Sequence, residues 1–265
     1  MQLTSFTASF MKPVLVLGSL GVLSLLWGCT PPNGGPAATA SSAPTTDAYA
    51  FRGSDQSWPS ATSADLRLAD DATAQNFYFI VDGSSSMGNS GCGGGKTRIE
   101  AAKDSLKAFV DVLPANSNTG MFVFDSGGDR EVAALANTSP GFIKNKINEI
   151  DVSGGTPLGA SLEHAYRKLT EQAKLQQGYG EYHLIVVTDG AASDESKMVQ
   201  MVRTIINSSP VNLHTIGFCV GTGHALNQPG FINYQSANNS TELLSGLKTV
   251  LAEAESFTVD AFTGN

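Results

Sequence analysis

Short apolar runs alternate with amphipathic segments along most of this chain, and this alternation limits the possible folds more than any other feature. The runs FYFIV at 77–81 and YHLIVV at 182–187 are apolar throughout, as strands buried on both faces are. The pattern predicts an α/β fold with a mostly parallel six-stranded sheet covered by helices, which binds ligands beyond the carboxyl ends of its strands. Strands are predicted at 77–81, 121–124, 131–135, 182–187, 211–218 and 231–236, a turn at 118–120, and helices at 98–113, from Ser139-Pro140, and at 157–176, 195–207 and 241–257.

The charge of the chain narrows the range of partners. It has 265 residues and a formal net charge of -8, with 41% hydrophobic residues to supply a core. An acidic protein repels nucleic acid and anionic lipid surfaces, so no nucleic-acid partner is expected.

The N-terminal segment has the pattern of an export signal. Lys12 precedes an apolar run at 13–27 that is short for a transmembrane helix but suits a secretory signal. The sequence Leu-Trp-Gly-Cys at 26–29 resembles a bacterial lipobox, although a smaller residue usually stands at the tryptophan position. We therefore predict a lipoprotein signal peptide over 1–28, with Met11 as a possible start. The mature chain would be anchored in the bacterial cell envelope by lipid on Cys29, facing the periplasm or the cell surface. An ordinary signal peptide and a short uncleaved anchor are the alternatives.

The composition changes again before the folded part begins. Residues 29–65 are rich in Pro, Ala, Ser and Thr and predict a flexible tether, and 66–265 is predicted as the folded domain. Two cysteines remain in the exported chain, Cys92 and Cys219. An oxidising compartment favours one disulfide between them, and two separate thiols are the alternative.

The glycine-rich stretch at 91–97 invites comparison with a phosphate-binding loop. The pattern GxxxxGK[ST] would require glycine at position 90, which is Ser90, and the preceding strand ends too early, at Val81. Thr97 and Glu100 instead have the spacing of a helix capping box. An NTPase that uses Lys96 and Asp189 is kept as an alternative, because the run LIVVTD at 184–189 imitates the strand and aspartate that support magnesium in NTPases.

Three separated segments place oxygen-bearing side chains at the ligand-binding edge of the predicted sheet. Asp82, Ser84 and Ser86 follow the first strand, Thr156 precedes a helix, and Asp189 ends the strand YHLIVV. A turn or a helix cap would explain each segment alone, but not all three together. Aspartate and hydroxyl oxygens are ligands that hard divalent cations prefer.

In their order and spacing, DGSSS at 82–86, GGTPL at 154–158 and TDG at 188–190 resemble the von Willebrand factor type A domain family, over roughly 75–257. The resemblance implies a doubly wound, largely parallel sheet with one short antiparallel edge strand, and a metal-ion-dependent adhesion site. Ser84 and Ser86 would bind the ion through their hydroxyls, and Thr156 directly or through water. Asp82 and Asp189 would act through waters or through hydrogen bonds to the serines.

The residue types of this site suit Mg²⁺, or Mn²⁺, better than Zn²⁺, which favours His and Cys ligands. Neutral hydroxyl ligands leave the ion under-neutralised, so it can accept an Asp or Glu carboxylate from a protein partner. The expected function is therefore a membrane-tethered binding module rather than an enzyme. The alternatives are the NTPase and a structural domain with a vestigial metal site.

Overall fold

A computed structural model describes residues 57–60, 66–92 and 94–254 of the chain. The predicted signal peptide at 1–28 lies outside the described residues, as does most of the predicted tether at 29–65. Within the described ranges, no helix has both the length and the apolar character needed to cross a bilayer.

The described residues form one mixed sheet with five α-helices. The strands are β1 (Gln75–Asp82), β2 (Asn118–Asp125), β3 (Gly128–Ala136), β4 (Glu181–Thr188), β5 (Asn212–Phe218) and β6 (Asn233–Ala237). The helices are α1 (Arg98–Val110), α2 (Pro140–Glu149), α3 (Leu158–Leu175), α4 (Glu195–Ser208) and α5 (Ser240–Ala254), with a short 3₁₀ turn at Ser85–Gly88.

The strand order is β3-β2-β1-β4-β5-β6, and only the β2–β3 pair is antiparallel. The predicted sheet class and the predicted edge position of β3 are therefore confirmed. The chain first winds from β1 towards β3 and then crosses back to β4 on the other side of β1. The crevice of such a sheet, where ligands bind, lies at this reversal between β1 and β4.

Both faces of the sheet are covered, as in a doubly wound fold. Alternate residues of β1 point to opposite sides: Phe77, Phe79 and Val81 pack in one apolar cluster with α1, α2 and α5. Tyr78 and Ile80 pack in a second cluster with α3 and α4. All five side chains are fully buried, which explains why β1 is apolar throughout.

The turn predicted at 118–120 is wrong, because these residues begin β2. Asn118 pairs with Asn76 of β1 and donates a side-chain hydrogen bond to Asn76 Oδ1 at 2.9 Å. Gly120 belongs in the strand because a β carbon there would lie 2.7 Å from the Tyr78 ring. The glycine that suggests a turn is thus explained by close packing under an aromatic side chain.

Two further contacts of the chain lie outside the sheet. Trp58, inside the segment predicted as tether, contacts the Tyr182 ring edge-on with a centroid distance of 5.0 Å and donates to Thr170 Oγ1 at 3.2 Å. Contact with the domain therefore starts upstream of residue 66. Cys92 and Cys219 form a disulfide with their Cα atoms 6.0 Å apart, which confirms the predicted pairing.

Two buried histidines on the α1 face predict a loss of stability in mild acid. His183 Nδ1 and His214 Nε2 are 3.3 Å apart, and Glu181 is the carboxylate nearest to His183, with its Oε2 3.6 Å from His183 Nε2. Burial, with a smaller contribution from His183, lowers the pKa of His214 to about 3. The unfolded chain, with an ordinary histidine pKa of about 6.5, therefore takes up this proton first as the pH falls.

The stability that depends on neutral His214 should be complete above about pH 6.5 and should decrease progressively below it. We expect a loss of about 2 kcal/mol at pH 5 from this residue, seen as a lower melting temperature. The variant His214→Gln cannot take up this proton, so its melting temperature should change less between pH 7.5 and pH 5. Equal pH slopes for the variant and the wild type would contradict the prediction.

Candidate metal site

Asp82 lies at the carboxyl end of β1, directly beside Thr188 at the end of β4. Thr188 Oγ1 donates a hydrogen bond to Asp82 Oδ2 at 2.6 Å, and the Ser84 N–H donates to Asp82 Oδ1 at 2.7 Å. Asp82 is fully buried. Its carboxylate therefore links the ends of two neighbouring strands and fixes the start of the loop that follows β1.

The serines of that loop form a short chain of polar contacts to Asp189. Ser84 Oγ and Ser86 Oγ are 3.0 Å apart, and Ser86 Oγ donates to Asp189 Oδ1 at 2.6 Å. Ser84 is buried, whereas Ser85, between them, is exposed. The 3₁₀ turn that begins at Ser85 thus places alternate serines together, as the D-x-S-x-S spacing predicts.

Thr156 is brought to the same place by a loop that pairs with the first one. The Ser85 N–H donates to Gly154 O at 3.2 Å, and the Ser153 N–H donates to Gly83 O at 2.9 Å. A β carbon at Gly190 would lie 3.8 Å from both Ser86 Oγ and Thr156 Oγ1. The structure therefore brings together the side chains of all the residues selected from the sequence: Asp82, Ser84, Ser86, Thr156 and Asp189.

An arginine that the sequence analysis did not select also belongs to this cluster. Arg98, the first residue of α1, donates from Nη1 to Asp189 Oδ2 at 2.7 Å. The Asp189 side chain is fully buried and that of Arg98 is 19% exposed. The sequence gives no signal for this ion pair, because Arg98 follows the capping residue Thr97, where an exposed basic side chain would also be ordinary.

Asp194 was also missed, and it holds the start of α3 behind Thr156. Its carboxylate accepts hydrogen bonds from the N–H groups of Gly159 and Ala160, at 2.9 and 2.8 Å. An acidic group at a helix N-terminus satisfies free N–H groups and favours the helix dipole. Its position just before α4 suggests a local cap, whereas its partners belong to another helix.

The loop after Asp189 is held by His224. The Leu226 N–H donates to His224 Nδ1 at 3.0 Å, so Nε2 carries the proton and donates to Gly190 O at 2.7 Å. Burial lowers the pKa of His224, which keeps the ring neutral. His224 and Ala191 also line an open pocket of about 670 Å³, so the surface of the protein is concave beside the cluster.

The donor set of this cluster fits a hard divalent cation. Burial raises the pKa of the Asp82 carboxyl, and neighbouring Asp189 adds to the effect, while hydrogen bonds from Ser84 and Thr188 oppose it. Added positive charge would favour the ionised form. No group of three or more His, Cys, Asp or Glu side chains that could hold a metal occurs in the described part of the chain, and this cluster relies on hydroxyls instead.

Lys96 lies apart from the cluster. Its Nζ pairs with Asp104 at 2.5 Å, and its side chain is 58% exposed. Thr97 and Glu100 form the predicted capping box at the start of α1. Arg98, not Lys96, is the basic residue that reaches Asp189, so the geometry gives no support to an NTPase that uses these two residues.

Comparison with known proteins agrees with this architecture. A profile described as "von Willebrand factor type A domain" matches residues 77–191. The YwmD protein of Bacillus subtilis (strain 168) is 24% identical over 202 residues, which cover 69% of this chain and 86% of YwmD.

Solved structures show the same fold. A von Willebrand factor type A structure from Catenulispora acidiphila superposes with a TM-score of 0.55 at 19% identity, covering 69% of this chain and 43% of that one. The manganese-loaded TRAP protein of Plasmodium vivax superposes with a TM-score of 0.51 at 19% identity, covering 68% of this chain and 74% of TRAP. The match thus spans less than half of the Catenulispora chain.

Proposed function

Because this chain carries a von Willebrand factor type A domain, we propose that it binds a protein partner through a divalent cation, Mg²⁺ or Mn²⁺. Asp82, Ser84, Ser86, Thr156 and Asp189 would hold the ion. The observation that carries the proposal is the convergence of three hydroxyls and two buried carboxylates from three chain segments at one edge of the sheet. The manganese-loaded state of TRAP, a protein of the same fold, supports the choice of ion.

The residues of the site would have two roles: some would bind the cation, and others would orient those ligands. The hydroxyls of Ser84, Ser86 and Thr156 are neutral oxygen donors that can face a cation. Asp189 orients Ser86 through the 2.6 Å hydrogen bond, and Asp82 orients the loop backbone at Ser84. The bound cation would supply positive charge and a coordination position for an Asp or Glu carboxylate of the partner.

We propose binding rather than catalysis, because the cluster presents neutral oxygen donors for a cation, and the carboxylates that accept hydrogen bonds from its hydroxyls, Asp82 and Asp189, are buried. The N-terminal pattern at 26–29 supports an exported chain that is held at a membrane by lipid on Cys29. Labelling of the cells with a radioactive fatty acid tests this part of the proposal, and we expect the label to be attached at Cys29.

Titration of Mn²⁺ and Mg²⁺ into the purified protein tests the proposal. We expect saturable binding in calorimetry and a rise in melting temperature that EDTA reverses, because a ligand that binds only the folded state stabilises it. Capture of a partner from cell-envelope extracts should require the cation and should be lost in EDTA. If neither cation gave a binding signal in calorimetry or changed the melting temperature, the proposed function would be wrong.

A further inference from the structure

The ion pair between Arg98 and Asp189 is part of the cluster that forms the candidate metal site. Asp189 Oδ1 accepts from Ser86, and Asp189 Oδ2 accepts from Arg98 at 2.7 Å. Because the Asp189 side chain is fully buried, its charge would be costly without a partner. In the described structure, Arg98 is the basic residue that meets this cost.

Arg98 also lies against the loop that carries Asn89 and Gly91. Its backbone N–H donates to Asn89 O at 2.8 Å, and a β carbon at Gly91 would lie 3.7 Å from its Nη2. In the described part of the chain, its Nε is buried and has no hydrogen-bond partner. The guanidinium thus contacts both Asp189 and the loop that carries Cys92, and its Nε–H donates no hydrogen bond to the described residues.

We propose that Arg98 is an internal counter-ion of the metal site, which neutralises Asp189 in the metal-free domain and lowers the affinity for the cation. The inference rests on the proposed function, since it assumes that the site takes up a divalent ion. Arg98 and the cation are both attracted to Asp189, and they repel each other at short range. The metal-free domain is thus stabilised by a residue that weakens metal binding.

Removing the charge should have two effects of opposite sign. The variant Arg98→Gln should bind Mn²⁺ at least about tenfold more tightly than the wild type, because a positive charge next to the site is lost. In EDTA its melting temperature should be lower by about 5 °C or more, because Asp189 is left buried without its partner. A purely structural role for Arg98 would instead lower the melting temperature and weaken metal binding.

Two further variants separate charge from local folding. Arg98→Lys keeps the charge, so its affinity for Mn²⁺ should stay near that of the wild type. Lys96→Gln removes a positive charge two residues away, from a side chain that pairs with Asp104 and not with Asp189, so its affinity should also be unchanged. Calorimetric titration with Mn²⁺ and melting in EDTA are measured for all four proteins.

The outcomes distinguish this inference from the proposed function. Wild-type protein that binds Mn²⁺, together with Arg98→Gln that binds it equally or more weakly, would overturn the counter-ion role and leave the proposed function standing. Wild-type protein that does not bind either cation would overturn both. The inference is supported if Arg98→Gln is the one variant of the three that binds Mn²⁺ more tightly than the wild type, and if its melting temperature in EDTA is lower.

Discussion

Replacing Ser84 and Ser86 together by alanine is expected to weaken Mn²⁺ binding at least about 100-fold, because the variant removes two of the three hydroxyl donors of the site. The fold should survive the change. Loss of the Ser86 hydroxyl leaves Asp189 Oδ1 without one hydrogen bond, at a cost of about 1–3 kcal/mol, and Arg98 continues to pair with Oδ2. Calorimetric titration measures the affinity for Mn²⁺, and the far-ultraviolet circular dichroism spectrum shows whether the fold is kept.

Ser85 provides a matched control for this double variant. It lies between the two serines in the chain, but its side chain is exposed. The variant Ser85→Ala should therefore bind Mn²⁺ like the wild type. If Ser84→Ala/Ser86→Ala also bound Mn²⁺ with unchanged affinity, these hydroxyls would not be ligands, whatever the effect on stability.

Replacing Gly159 by alanine is expected to destabilise the domain by about 3 kcal/mol, because α3 and α4 are in backbone contact at this position. An added β carbon would lie 2.5 Å from the Met198 N and 2.8 Å from the Lys197 carbonyl carbon. It would also lie 2.8 Å from Asp194 Oδ2, which caps α3. Because Met198 N and the Lys197 carbonyl carbon are backbone atoms, a change of side-chain rotamer cannot relieve these contacts. Relief would require α3 and α4 to move apart.

Gly141 is the matched control, since it too lies within a helix, α2. In the described structure a β carbon at Gly141 would have no neighbour within 4 Å. Gly141→Ala should therefore be neutral or stabilising, by up to about 1 kcal/mol, because alanine favours the helix. The free energies of unfolding in urea measure both variants, and a Gly159→Ala protein as stable as Gly141→Ala would disprove the close-contact argument.

Periodicity was enough to predict the central strands β1 and β4 because both are buried on both faces. The run 77–81 is short and apolar throughout, which favours a buried strand, and it lies within β1. The error at 118–120 came from local composition, because Asn, Thr and Gly favour turns in isolation. The structure at 118–120 is instead determined by packing against Tyr78. Such contacts between strands cannot be predicted from a few neighbouring residues of the sequence.

The candidate site was predictable only where its residues form a spaced pattern. Asp82, Ser84 and Ser86 alternate along the chain, and Asp189 closes an apolar strand, so both segments could be placed at one edge of the sheet. Arg98 and Asp194 could not, because each acts on a partner that is distant in sequence. Their roles depend on how α1, α3 and α4 are set against the strand ends, which only the folded structure defines.

The bond between Cys92 and Cys219 joins residues 127 positions apart and so closes a large covalent ring. Thr156 and Asp189 lie within that ring, while Asp82 to Ser86 lie on the arm that leads into it. A protease that cuts one peptide bond inside the ring would not release a fragment. A nicked molecule would keep all three segments of the site covalently connected.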